Sequence, residues 1–186
     1  MKITTAVKSF IPVAVLCACS SSAFGQFLAT GNTQLSVAVG AESAISVTTA
    51  TTSFTEASGA GIFGAPFTGT TDFSYKVRTK MSGGSGTITV KVTSDFGAGG
   101  PSVGSPPTGD AITYTCTTAA SGTPCTGSVA ASTGTATSVA TFGADAHSTA
   151  GTGSSDAGSV IWSIPNDPVY KTGTYTATAT FTISAS

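Results

Sequence analysis

The chain has 186 residues, 40% of them hydrophobic and only 8% charged, against roughly a quarter charged in an average soluble domain. Seven basic and eight acidic residues leave no basic patch for a nucleic acid and no polybasic segment for an anionic membrane. High apolar content with recurring aromatics argues for a folded chain whose surface is built from Thr and Ser rather than Lys and Glu.

Residues 1–25 read as a secretory signal peptide. Lys2 and Lys8 give a positive start, residues 10–18 a short apolar run, and Ala23, Phe24 and Gly25 a small-residue cleavage site before Gln26. The apolar run is too short to span a bilayer. Leu16, Cys17, Ala18 and Cys19 also resemble a bacterial lipobox, in which Cys19 would be lipidated and tether the chain to a membrane. Cleavage near Gln26 is the first reading and a lipoprotein anchored through Cys19 the alternative. Residues 26–186 then form one domain, long enough to bury a core. Without Lys2 and Lys8 it keeps five basic residues against eight acidic, a net charge of −3.

Strand signals fill this region, with side chains alternating between two faces. Leu35, Val37 and Val39 alternate with Ser36 and Ala38. Ile45, Val47 and Thr49 follow a Gly40-Ala41-Glu42 break. Phe73, Tyr75 and Val77 alternate with Ser74, Lys76 and Arg78, and Ile88, Val90 and Val92 with Thr89 and Lys91. The "SGGSG" turn between these two runs implies neighbouring strands carrying Lys76, Arg78, Lys80 and Lys91. Further runs are Ile112, Tyr114 and Cys116, a weaker stretch over residues 135–142, and Val160, Trp162 and Ile164 before Pro165. The tail "GTYTATATFTISAS" alternates without a slip from Thr174 to Ile183. It places Tyr175, Phe181 and Ile183 in the core, and a row of Thr toward solvent or a partner. Gly-, Pro- and Asp-rich clusters break the chain between runs, and no helical period appears. The pattern predicts an all-β fold: an antiparallel Ig-like (Greek-key) sandwich of about eight strands, with a small β-barrel as the alternative.

Of the four cysteines, Cys17 and Cys19 lie in the signal, and Cys116 and Cys125 are expected to form a disulfide after export. Catalytic candidates are thin. His147, the sole histidine, has Asp145, Ser148, Ser154 and Ser155 nearby, but no nucleophile-elbow context. The acids show no glycosidase pair. A loop calcium site on Asp145 and Asp156 would fall short of the usual ligand number. Trp162, Tyr75, Tyr114 and Tyr175 share the phase of their strands' apolar residues and read as core, which leaves Tyr170 as the candidate exposed ligand contact. No catalytic, cofactor or metal residue is assigned, and the chain is read as no enzyme.

The tail "PVYKTGTYTATATFTIS" and the N-terminal "TGNTQLSVAVGAESAISV" resemble the two ends of secreted bacterial surface β-sandwiches, the spore-coat-U-like and chaperone–usher pilin-like subunits. The resemblance implies an exported structural subunit of the cell surface or an extracellular filament, with copies of itself or other surface subunits as partners. It also implies that the strand around Leu35, Val37 and Val39 is donated to a neighbour. The alternative is a secreted polysaccharide-binding or adhesive module using Tyr170 or Asp167. Neither reading involves a nucleic acid or a membrane span.

Overall fold

The computed structural model describes residues 32–58, 61–107, 110–118 and 121–186. Residues 1–25, read from sequence as a signal peptide, with Cys17 and Cys19, lie outside them. The backbone divides into Met1–Ala38 and Val39–Ser186. In the first unit, residues 32–38 are exposed and belong to no strand.

The second unit is all-β. Its strands are β1 (Glu42–Val47), β2 (Thr55–Glu56), β3 (Phe67–Arg78), β4 (Gly86–Ser94), β5 (Thr113–Thr118), β6 (Thr123–Pro124), β7 (Val129–Ala130), β8 (Thr137–Phe142), β9 (Asp156–Ile164) and β10 (Thr178–Ala185). One sheet runs β1-β3-β9-β5-β7, with β2 also on β3, and the other runs β10-β4-β8-β6. Every pairing is antiparallel. The sheets pack as a sandwich, and no closed barrel forms among the described residues.

The alternation fixes which face goes in. On β3, Gly69, Thr71, Phe73, Tyr75 and Val77 are buried while Thr70, Asp72 and Arg78 are exposed. β9 buries Val160, Trp162 and Ile164 in the same way. The inner faces meet in a cluster around Phe73, Tyr75, Ile88, Val90, Tyr114, Val139 and Val160. Burying each such side chain contributes roughly 1.5–3 kcal/mol. Tilted aromatic contacts tie the cluster together, with Tyr114 and Trp162 centroids 5.3 Å apart and Phe73 and Phe181 5.7 Å apart.

Seven of the eight alternating runs lie on strands; the run at residues 35–39 does not. Leu35, Val37 and Val39 are 90%, 84% and 63% exposed, because alternation confers the capacity to pair but supplies no partner. The "SGGSG" turn also differs from expectation. β3 has β1 and β9 as neighbours and β4 has β10 and β8, so residues 79–85 carry the chain from one sheet to the other. The crossing is held by Thr79 N donating to Ala146 O and Lys80 N to Ser186 O. The tail does complete a sheet of its own chain. Thr178 to Ala185 pair with β4, with a register shift between Thr178 and Ala179.

Cys116 and Cys125 form the disulfide, Cα–Cα 5.4 Å. Cys116 is on β5, and Cys125 follows β6 and donates its N–H to Val139 O. The bond therefore joins the two sheets on the β5–β6 side, while β1 and β10 are edge strands on the other side.

Candidate functional site

The edge without the disulfide is incompletely closed, and local sequence explains why. β1 ends at Val47, and residues 48–54, "TTATTSF", leave the regular ladder. The amides of Thr48 and Thr49 both donate to Asp72 O, and Asp72 N donates to Thr49 Oγ1. This segment then crosses close over β3 at Gly69, where a Cβ would stand 2.8 Å from Ser53 O, a space no other residue leaves free. Thr52 and Thr71 share a hydroxyl hydrogen bond of 2.5 Å, and Trp162 Nε1 donates to Thr71 Oγ1 at 2.9 Å. One buried polar chain thus anchors the segment to the core.

On the facing side β10 begins only at Thr178, opposite Ser94 at the end of β4. Beyond Ser94 the chain turns at Asp95. Its carboxylate accepts from the amides of Phe96, Val103 and Gly104 and from the Ser102 hydroxyl, at 2.8–3.1 Å. Burial pulls the Asp95 carboxyl upward, but these hydrogen bonds outweigh it and hold the group below its ordinary range. With β4 turned away, residues 174–177 have no ladder partner although their alternation is unbroken. Tyr175 is half-buried rather than core, Ala177 and Ala179 are exposed, and Phe181 and Ile183 are half-buried. The Thr row at 174, 176, 178, 180 and 182 is exposed throughout.

Between the two segments lies a groove of about 470 Å³. Phe54, Phe96, Trp162, Ile164, Ala177 and Phe181 give it an apolar lining, Thr49, Thr51 and Thr52 add hydroxyls, and among the described residues no charged side chain reaches it. Beside it runs the outer edge of β10, which among the described residues pairs with β4 and no other strand. A strand edge with no second neighbour, next to the half-buried Phe54, Phe96 and Phe181, is a template for another strand.

The catalytic, metal and exposed-ligand candidates read from sequence lie elsewhere. Tyr170 is half-buried instead of projecting freely; burial, with the nearby carboxylates of Asp167 and Asp110, pushes its phenol up. His147 is exposed, and its Nδ1 lies 2.8 Å from the backbone oxygen of Asp145, not its carboxylate. Ser148 Oγ accepts from Val77 N, a structural duty. Asp156 is buried and accepts from Ser121 Oγ at 2.7 Å, and Ser121 in turn lies 3.1 Å from Tyr75 OH. Asp145, by contrast, is an exposed turn residue with φ of 58°. Among the described residues no group of three or more His, Cys, Asp or Glu could hold a metal ion. Tyr75, Tyr114 and Trp162 are core as expected, and the Tyr114 hydroxyl lies 2.7 Å from Thr137 Oγ1 and 3.0 Å from Ser138 O.

A second cleft of about 380 Å³ is lined by Glu42, Lys76, Arg78 and His147. Its charges are engaged: Arg78 pairs with Glu42 at 3.1 Å, and Lys76 donates to Thr152 O at 2.7 Å. The groove is the feature sequence reading missed. Its one visible signal was Phe54, an aromatic stranded in a run of Thr and Ser.

In comparisons with known proteins, no family model matches the chain, and no curated protein or solved structure is significantly similar to it.

Proposed function

We propose that this chain is a non-enzymatic, exported structural protein of the cell surface or an extracellular filament. Copies assemble when residues 35–39 of one lie along the open edge of the next. The observation that carries the reading is the uncharged apolar groove beside the unpaired edge of β10. Leu35, Val37 and Val39, exposed and spaced two apart, have the pattern such an edge would take, with backbone pairing to the edge and alternate side chains in the groove. Covering three such side chains contributes about 5–8 kcal/mol before the ordering cost of roughly 1–2 kcal/mol per residue. Main-chain hydrogen bonds along the edge add about 1 kcal/mol each. The Cys116–Cys125 bond fits an oxidising compartment. Among the described residues no helix is long and apolar enough to cross a membrane.

A synthetic peptide of residues 33–40 tests the reading directly. Trp162 is the only tryptophan and lines the groove, so its emission should shift on titration with the peptide. A version with Val37→Asp should give no shift. Equal responses to the two peptides, or none to either, would defeat the proposal.

A further inference from the structure

Tyr175 sits where the alternating tail leaves its ladder, and its contacts are unlike those of a strand residue. Its hydroxyl lies 2.7 Å from Lys171 O and 3.1 Å from Gly99 O, one proton shared between two carbonyls. Lys171 N donates to Gly99 O at 2.8 Å, closing the same knot. The ring lies against the backbone of Gly100, where a Cβ would fall 2.4–2.6 Å from three ring atoms. Gly100 is buried and carries no left-handed strain, so what the site requires of it is the missing side chain. The tyrosine therefore clips residues 171–175 to the loop after Asp95, and that loop is itself fixed by the Asp95 carboxylate. Tyr175, Thr176 and Ala177 form one wall of the groove, and residues 49–52 and Phe54 form part of the other.

We propose that Tyr175 is a latch that holds the groove open, and that residues 174–177 are a strap that folds across it when the latch is released. This rests on the groove being the acceptor site for residues 35–39. The physical reason is that residues 174–177 have no ladder partner among the described residues, and that Phe54, Phe96 and Phe181 in the groove are only half-buried. Unclipped, Tyr175 and Ala177 lower their free energy by closing over the half-buried Phe54 and Phe96. Latched, they leave that surface to an incoming strand. Tyr175 acts as a positioning residue, since the gating comes from where its ring and hydroxyl hold the strap.

The test uses the mature chain with two variants and two probes. Gly100→Ala expels the ring sterically, while Tyr175→Phe keeps the ring and removes the shared proton. The probes are the environment-sensitive dye 8-anilinonaphthalene-1-sulfonate, which reports uncovered apolar surface, and the peptide of residues 33–40. Latching predicts that Gly100→Ala weakens binding of both probes by about tenfold or more, the scale set by overpacking a tight contact. Tyr175→Phe should weaken both by a smaller factor. Circular dichroism should show each variant still folded. Should Gly100→Ala fail to fold, Tyr175→Phe decides alone. Variants that bind both probes like the wild type would overturn the latch. If the wild type ignores the peptide but dye binding falls in the variants, the strand-acceptor reading fails and the latch stands.

Discussion

Removing the disulfide is the perturbation whose size follows most directly from this structure. The bond closes a loop of nine positions. Constraining a loop of that length in the unfolded chain contributes roughly 2.5 kcal/mol at room temperature in the chain-entropy description. Both cysteines are also half-buried against the core, so replacing the pair by alanine forfeits a little packing besides. The double variant Cys116→Ala, Cys125→Ala should lose about 2–3 kcal/mol in urea denaturation. For a chain of this size that corresponds to a fall in Tm of about 5–10 °C. The position of the damage is as informative as its size. The bond joins the sheets on the β5–β6 side, so amide exchange should quicken first at Cys125, whose N–H donates to Val139 O. Protection along β10 and β4 should persist. A loss below about 0.5 kcal/mol, far under the loop-closure value, would refute the reasoning, as would early exchange along β10.

Three further outcomes follow from single contacts. Thr71→Val keeps the shape but strands the buried Trp162 Nε1–H, so it should cost about 1–3 kcal/mol and alter tryptophan emission. Asp95 is held below its ordinary pKa of 3.8 by its hydrogen bonds; the stability it confers is present above that pH and is lost as pH falls through its lower, folded value. Asp95→Asn should therefore flatten the fall in Tm between about pH 4 and pH 2, and an unchanged slope would contradict the assignment. Tyr114→Phe removes a hydroxyl that meets Thr137 and Ser138 in the core and should cost about 1 kcal/mol, read by urea denaturation.

Much of the fold was legible because period-two alternation ties side-chain identity directly to burial. Phe73, Tyr75, Val77, Ile88 and Val160 show this, each inside as its phase demands. The start of β3 was hidden since Gly69, Thr70 and Thr71 carry no apolar signal, although Thr71 is buried as the partner of Trp162. Pairing was less visible than strand identity. Lys76 and Lys91 fall in different sheets because a short Gly turn permits a crossing as readily as a hairpin. The tail misled for a related reason. Tyr175 has the phase of a core residue, but β4 ends at Ser94 and leaves it nothing to pair against. The groove depends on two such endings, at Val47 and Thr178, and on the close crossing at Gly69. Those are long-range facts that no local pattern contains.

The claim that copies assemble through residues 35–39 is tested most directly by sedimentation velocity on residues 26–186, beside the Val37→Asp variant, across a range of concentrations. Wild type should form a concentration-dependent series of oligomers, and the variant should remain a monomer with unchanged stability. A wild-type chain that sediments as a monomer at every concentration, or a variant that assembles equally well, would contradict the proposed function.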